Sequence, residues 1–273
     1  MLEIISVGPG DAALLTDDAK QTIARADMVW CAARHAVLVP PEKVRPLSPL
    51  EDAIEQMRGF SETGQNAAVL VSGDAGLYSL LEMLKRKAGG EGLRVHPGVS
   101  ALQLFAARLG VSWQDAKILS AHGRALSESA LCHAARTHRK TFCFLDAAHN
   151  PAWVRENLNH GGLEHARLFV GERLSYPDER AEAYRADAQY DPLCMAYIEN
   201  DAPESVLPPV GLPDDAFVRG KTPMTKRDVR ALVVSALHLK PDSVVWDVGA
   251  GTGSVSVECA RQCPLGEVCA VEM

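Results

Sequence analysis

Short apolar runs alternate with amphipathic stretches along most of the chain, and this alternation predicts a layered α/β fold. The clearest run is Ala67–Val71, which is followed at once by a polar turn and is typical of a buried parallel strand. Thr16 precedes two acidic residues and predicts a capped helix. Predicted strands cover 2–7, 28–31, 67–71, 94–96, 117–120, 141–145, 167–171 and 193–198, and predicted helices cover 16–26, 50–58, 78–88, 100–109, 130–137 and 151–159.

The pattern divides the chain into three parts. Residues 1–112 and 113–203 are predicted to be an N-terminal and a C-terminal α/β lobe, and residues 204–273 a linker followed by part of a further domain. The segment 200–213 contains four prolines, as a linker does. After it we predict a helix at 226–237, strands at 243–247 and 267–271, and a helix ending near 261. One βαβ unit cannot cover a doubly wound sheet, so we expect the incomplete start of a Rossmann-like domain.

Composition and charge narrow the functional classes. Hydrophobic residues make up 47%, charged residues 23% and aromatic residues 5% of the chain, which fits a globular protein with an aliphatic core. A net charge of −7 argues against a broad nucleic-acid-binding face. We expect neither a transmembrane helix nor a signal peptide. The chain has seven cysteines and no C-x-x-C pair, which argues against a disulfide framework and a structural zinc site. Reduced thiols are expected in the cytoplasm, so we expect a cytoplasmic protein.

Glycine-rich turns follow several predicted strands, at the edge where open α/β sheets bind ligands. Gly8-Pro9-Gly10-Asp11 and Ser72-Gly73-Asp74-Ala75-Gly76 would let a ligand approach the backbone closely. Each motif also has a purely structural explanation: an ordinary tight turn for Gly8–Asp11 and an Asx-turn for Ser72–Gly76. Ser100 could face the same edge, although helix capping explains it equally well.

Two histidine positions illustrate the choice between ligand contacts and ordinary packing. His122 and Arg124 follow a predicted strand and could meet an anionic ligand, although a solvated surface loop is an alternative. His35 and the remaining histidines show no metal-ligand spacing, so we interpret them as surface or core side chains and expect no metal.

The sharpest motif is Gly249-Ala250-Gly251-Thr252-Gly253, between a predicted strand and a predicted helix. Glu272 stands 23 positions after Gly249, close to the spacing of about 20 expected of a ribose-binding carboxylate. The Gly-x-Gly-x-Gly spacing differs from the Gly-x-Gly-x-x-Gly of dinucleotide enzymes, which disfavours a dehydrogenase and suits S-adenosylmethionine.

Together the motifs resemble those of the tetrapyrrole (corrin/porphyrin) methylase family. The matching segments are VGPGDAALLT at 7–16, VLVSGDAG at 69–76, HPGVSALQLFAARLG at 96–110 and SWQDAKILSAHGR at 112–124. LSYPDER at 174–180, with YIEN at 197–200, is similar to the branch that methylates carbon 5 of precorrin-7 in cobalamin biosynthesis. Residues 211–273 resemble the beginning of a domain that in this family methylates carbon 15 and decarboxylates the ring C acetate.

The resemblance implies a homodimer of chains with two unequal α/β lobes, with S-adenosylmethionine between the lobes. Two departures matter: Ala75 replaces a usual proline, and Cys31-Ala32 stands where some relatives carry an aspartate proposed to handle a proton, so no general base is assigned. The residues implied to line the first cofactor site are Pro9, Ser72, Gly73, Asp74, Leu77, Ser100, Ala101, Leu145 and Leu174. Those implied for a second site are Thr225, Gly249, Ala250, Gly251, Thr252, Gly253 and Glu272.

Methyl transfer to an electron-rich ring carbon depends mainly on alignment and exclusion of water. Because the tetrapyrrole carries many carboxylates, an acidic protein must place local cations at the site. Our candidates are His122, Arg124, Arg173 and Arg180, each of which could instead be a solvated surface side chain. Two alternatives stay open: a methyltransferase of the same fold acting on RNA or protein, and a non-catalytic nucleotide-binding module.

Overall fold

The structure is a computed structural model that describes residues 2–61, 63–88, 93–204, 209–218 and 223–272. The chain divides into two compact units. One consists of Met1–Asp115, Phe142–Pro151 and Phe169–Tyr197, and the other of Ala116–Thr141, Ala152–Leu168 and Ile198–Met273.

The N-terminal part of the first unit is a parallel sheet covered by helices. Its strand order is β3-β2-β4-β1-β5. The central pair runs in register from Leu2 opposite Ala67 to Ser6 opposite Val71, so the loops that follow these two strands leave the same edge. The strands are β1 (Leu2–Ser6), β2 (Met28–Cys31), β3 (Val44–Pro46), β4 (Ala67–Val71) and β5 (Leu93–His96), and the helices are α1 (Asp17–Arg25), α2 (Leu50–Ser61), α3 (Leu81–Ala88) and α4 (Ala101–Leu109).

The apolar core of this sheet has two layers, because neighbouring residues of a strand point to opposite faces. Ile4 packs in one cluster with Met57 of α2 and Leu84 of α3. Ile5 packs in the other cluster with Ile23 of α1. Both faces are therefore covered, as a parallel sheet requires.

A second five-stranded sheet has the order β6-β7-β10-β8-β9. Its β8 and β9 are antiparallel, with Glu172 opposite Arg180. The strands are β6 (Lys117–Ser120), β7 (Lys140–Phe144), β8 (Arg167–Glu172), β9 (Arg180–Ala183) and β10 (Cys194–Glu199), and the helices that intervene in the chain are α5 (Glu128–Thr137) and α6 (Pro151–His160).

The C-terminal segment contains α7 (Arg227–Ala236), β11 (Val244–Val248), α8 (Ser254–Gln262) and β12 (Glu267–Val271). A buried ion pair stabilises it: Arg230 Nε lies 3.3 Å from Glu258 Oε1, and both side chains are fully buried. The same carboxylate oxygen accepts the backbone N–H groups of Gly211 and Leu212 at 3.1 and 2.6 Å. The pair therefore connects the incoming chain to α7 and α8.

The predicted elements are present with shifted ends. Besides short 3-10 helices that were not predicted, such as Ala33–Leu38, there are three differences. The helix predicted from Tyr78 begins at Leu81, because Tyr78 adopts a left-handed φ of 49°. The sequence analysis missed β3 and β9; the first has three residues, and the second, RAEA, has no apolar run to mark it. In the described residues no helix combines the length and apolar character needed to cross a membrane.

Candidate functional site

Two backbone hydrogen bonds join the loops that follow β1 and β4. The Gly8 N–H donates to the Gly73 carbonyl at 3.2 Å, and the Gly73 N–H donates to the Gly8 carbonyl at 2.8 Å. Their φ angles of 72° and 65° lie in the left-handed region that favours glycine. Two predicted glycine turns thus lie side by side at the carboxyl edge of the sheet, with Pro9 and Ser72 half-buried beside them.

Asp74 and Ser100 both satisfy backbone groups near this edge. Asp74 Oδ1 accepts the Gly76 N–H at 2.8 Å, which is the Asx-turn alternative, and its Oδ2 accepts the Gly98 N–H at 3.2 Å. Ser100 is 3% exposed and caps α4 through a capping box with Gln103. Both side chains therefore stabilise the local backbone, independently of any contact with a ligand. The predicted residues Leu77 and Ala101 are half-buried.

A polar cluster that was not predicted from the sequence is formed by Arg34, His35 and Ser72. His35 is 2% exposed, and its Nε2 lies 2.9 Å from Ser72 Oγ. Arg34 Nη2 donates to Ser72 Oγ at 2.6 Å, and Arg34 Nε donates to His35 Nε2 at 3.3 Å. Burial, followed by the charge of Arg34, lowers the pKa of His35 to about 4. The imidazole is therefore neutral at pH 7.

The sequence shows only that the residues of this cluster follow two predicted strands. Arg34 and His35 come shortly after β2, and β2 pairs with β4, which Ser72 follows. The sequence interpretation left His35 as either a surface or a core side chain, and its burial shows that it belongs to the core. That interpretation missed the hydrogen bonds, because the adjacency of β2 and β4 is a property of the fold.

Arg173 and Arg180 are engaged by carboxylates of the chain itself. Arg173 Nε lies 2.6 Å from Asp178 Oδ2, and this hydrogen bond lowers the pKa of Asp178. Arg180 pairs with Glu172. Local compensation of both charges counts against the prediction that these arginines bind substrate.

Four further predicted residues fall into two groups: two polar side chains are exposed, and two leucine side chains are buried. His122 and Arg124 are exposed in the turn after β6. Leu145 and Leu174 are 2% and 5% exposed. Apolar side chains this deep are core residues, so a ligand would reach these positions mainly through their backbone.

A cavity of about 670 Å³ lies beside Gly10 in the first unit. Hydrogen bonds connect its walls: the Asp11 N–H donates to Ser175 Oγ at 3.1 Å, and the Ser175 N–H donates to Glu179 Oε2 at 2.7 Å. Glu179 also pairs with Arg108 at the end of α4. The turn at 173–179 is thereby attached to the first glycine loop.

The C-terminal glycine motif has the predicted strand–turn–helix geometry. The N–H groups of Gly249 and Ala250 donate to the Val271 carbonyl at 2.8 and 3.1 Å. The Gly251 N–H donates to Glu272 Oε2 at 2.6 Å, so the predicted ribose-binding carboxylate already contacts the glycine loop. Gly249, Gly251 and Gly253 all have positive φ. Thr252 is half-buried and Thr225 is exposed.

Comparison with known proteins identifies the family. A family model described as Tetrapyrrole (Corrin/Porphyrin) Methylases matches residues 1–188. The chain belongs to the tetrapyrrole methylase family. A second family model, Precorrin methyltransferase domain, matches residues 215–273.

Two relatives of this tetrapyrrole methylase differ in how much of it they cover. Precorrin-6Y C(5,15)-methyltransferase [decarboxylating] of Sinorhizobium sp is 33% identical over 283 aligned positions, covering 100% of this chain and 67% of the relative. Cobalt-precorrin-7 C(5)-methyltransferase of Salmonella typhimurium is 29% identical over 183 positions, covering 66% of this chain and 88% of the relative.

Solved structures share the fold. The methyltransferase CobJ gives a TM-score of 0.63 at 20% identity, over 74% of this chain and 94% of that one. Uroporphyrin-III C-methyl transferase from Thermus thermophilus, complexed with S-adenyl homocysteine, gives a TM-score of 0.59 at 20% identity. The match covers 72% of this chain and 96% of that one. The predicted α/β fold, family and methyltransferase class are confirmed. The ligand role of each individual residue stays a prediction.

Proposed function

We propose that this tetrapyrrole methylase transfers a methyl group from S-adenosylmethionine to carbon 5 of a precorrin in cobalamin biosynthesis. The observation that carries the proposal is the match of the whole chain to a relative named for carbon 5 and carbon 15 methylation. The separate match of 183 positions to a carbon 5 methyltransferase supports the assignment of this step to the N-terminal part.

The residues at the carboxyl edge of the first sheet fit the methyl donor. Gly8 and Gly73 carry no side chain where their loops are joined. A Cβ on Gly8 would lie 3.5 Å from the Val99 carbonyl oxygen, so the open space for a ligand lies beside Gly73. A Cβ on Gly73 would meet nothing nearer than Ser100 Cα at 3.9 Å. We propose that the first cofactor site is lined by Pro9, Ser72, Gly73, Asp74, Leu77, Ser100 and Ala101, with backbone contributions from Leu145 and Leu174.

Methyl transfer requires the ring carbon, the methyl carbon and the sulfur to lie in line. When bound, S-adenosylmethionine supplies an electrophilic methyl group on a sulfonium. The protein's contribution is to hold both reactants in that geometry and to exclude water. His122 and Arg124, exposed after β6, stay candidates for holding ring carboxylates.

The C-terminal segment is proposed to contribute a second cofactor site for the carbon 15 step. Gly249–Gly253 form its glycine loop, and Glu272 stands at the end of the next strand. Glu272 Oε2 accepts the Gly251 N–H. Its Oε1 has no hydrogen-bond partner within the described ranges and could therefore accept a hydrogen bond from a ribose hydroxyl. Thr225 is the remaining candidate.

We further propose that the protein works in the cytoplasm as a homodimer. The seven cysteines are free thiols, which fits a reducing compartment. The dimer rests on the family resemblance alone, and sedimentation equilibrium of the purified protein tests it.

A matched pair of variants tests the proposed reaction. Wild type should convert precorrin-7 and methyl-labelled S-adenosylmethionine into a product that carries the label, measured by mass spectrometry. Gly73→Ala and Gly110→Ala impose similar backbone strain, since the φ angles are 65° and 66°, but Gly110 ends α4 outside the loops. Gly73→Ala should weaken S-adenosylhomocysteine binding and Gly110→Ala should not. Absence of transfer by wild type would refute the proposal.

A further inference from the structure

Arg34 is an exposed cation whose contacts within the protein are all neutral. Its guanidinium bonds to His35 Nε2 and Ser72 Oγ. Across the described residues, no carboxylate lies within ion-pair distance of it. Arg108, Arg173 and Arg180 of the same unit each pair with an acid of the chain. The charge of Arg34 is therefore uncompensated.

The two protein contacts fix the orientation of the guanidinium. Nε and one hydrogen of Nη2 are occupied, so both hydrogens of Nη1 and the other hydrogen of Nη2 stay available. That remaining edge has the geometry of the two parallel hydrogen bonds that arginine makes to a carboxylate. His35, buried and neutral, holds the Nε side without neutralising the charge.

The location of Arg34 connects it with the proposed cofactor site. Its Nη2 is bonded to Ser72, and the neighbouring Gly73 is joined to Gly8 by the paired backbone bonds. A carboxylate held by Arg34 would thus lie next to the glycine loops.

We propose that Arg34 binds a carboxylate of a ligand at this edge, with His35 and Ser72 as positioning residues. This inference rests on the proposed function. Two sources share the chemistry: an acetate or propionate side chain of the precorrin, and the carboxylate in the methionine part of the methyl donor. A bidentate contact would add affinity and orient the ligand relative to the loops.

The test measures both ligands on the same variants. S-adenosylhomocysteine binding is followed by calorimetry and precorrin-7 binding by absorbance, for wild type, Arg34→Gln and Arg34→Lys. Arg58→Gln is the matched control, since Arg58 is an exposed arginine on α2. Arg34→Gln should raise the Kd of one ligand about tenfold or more, and Arg34→Lys, which keeps the charge without the fork, by less. Arg58→Gln should leave both Kd values unchanged.

A second readout separates a charge contact from a structural effect. Raising the salt concentration should reduce the advantage of wild type over Arg34→Gln, because exposed ion pairs are screened. The ligand whose affinity falls identifies the source of the carboxylate. Thermal unfolding checks the fold, and Arg34→Met repeats the test if Arg34→Gln is unfolded.

The inference is overturned if Arg34→Gln, folded as wild type, binds both ligands within about twofold of wild type. Loss of affinity that does not depend on salt also overturns it. If wild type does not bind precorrin-7, the proposed function fails, whereas the S-adenosylhomocysteine measurements still decide whether Arg34 contacts the carboxylate of the methyl donor.

Discussion

A Cβ atom on Gly98 would lie 2.7 Å from Ser6 Cβ and 2.8 Å from the Ser6 carbonyl oxygen. Gly98 therefore allows the turn after β5 to pass directly against the end of β1. Ser6 is fixed from the other side, because its hydroxyl accepts the Ala75 N–H at 2.9 Å. Three chain segments at the carboxyl edge of the sheet depend on this close approach.

Gly98→Ala should destabilise the protein by about 2–4 kcal/mol, because the obstructing atoms include backbone that cannot rotate away. Urea unfolding measures the change. Gly59→Ala is the control: Gly59 lies in α2 and a Cβ there meets nothing within 4 Å. That variant should be neutral or stabilising by up to about 1 kcal/mol. Equal effects at both positions would contradict the packing argument.

Gly10→Ala should weaken cofactor binding through Tyr176. A Cβ on Gly10 would lie 2.7 Å from Tyr176 Cζ and Oη, so the ring or the loop must move. Tyr176→Ala removes the obstruction but not the backbone strain of a side chain at a φ of 156°. The double variant should therefore recover part of the affinity lost in Gly10→Ala, giving a coupling of about 1 kcal/mol or more. Calorimetry with S-adenosylhomocysteine measures all four proteins. Additive effects would show that the ring does not constrain the loop.

His35 should make stability depend on pH below about 6.5, its ordinary pKa when unfolded. Its native pKa is about 4, so between these values the unfolded chain binds more protons and stability falls as pH falls. The loss amounts to about 3 kcal/mol over that range. Above it, His35 contributes no pH dependence. The difference in unfolding free energy between wild type and His35→Gln should shrink on acidification; a constant difference would disprove the shift.

Arg230→Ala should loosen the C-terminal segment, because it leaves the buried Glu258 carboxylate without its buried partner. We expect a cost of about 3–5 kcal/mol, seen as faster proteolysis within 209–272 and a lower melting temperature of that segment. Arg261 also contacts Glu258, at 3.5 Å, but it is 28% exposed. Arg261→Ala should cost about 1 kcal/mol or less. A larger loss of stability in Arg261→Ala than in Arg230→Ala would show that burial does not determine the strength of these ion pairs.

Local patterns in the sequence were sufficient for most of the fold. The apolar run at Ala67–Val71, the cap at Thr16 and the Gly249–Gly253 turn each depend on neighbouring residues, and the structure confirms all three. β9 was missed because its pairing with β8, rather than its composition, makes it a strand.

The candidate site was less predictable, because its contacts join distant segments. Arg173 has two acidic partners. Asp178 lies close to it along the chain, whereas Asp191, 3.5 Å away, lies beyond β9. Arg34 and Ser72 meet only because β2 and β4 are neighbours. The sequence therefore could not show that Arg173 and Arg180 pair with carboxylates of the chain, or that Arg34 has no such partner among the described residues.

The reciprocal bonds between Gly8 and Gly73 have a consequence for hydrogen–deuterium exchange. Each amide is protected by the carbonyl of the other residue, so separating the loops exposes both amides in one event. The two glycines should therefore have similar protection factors, although they are far apart in the chain. A ligand that contacts only one loop should slow exchange in both.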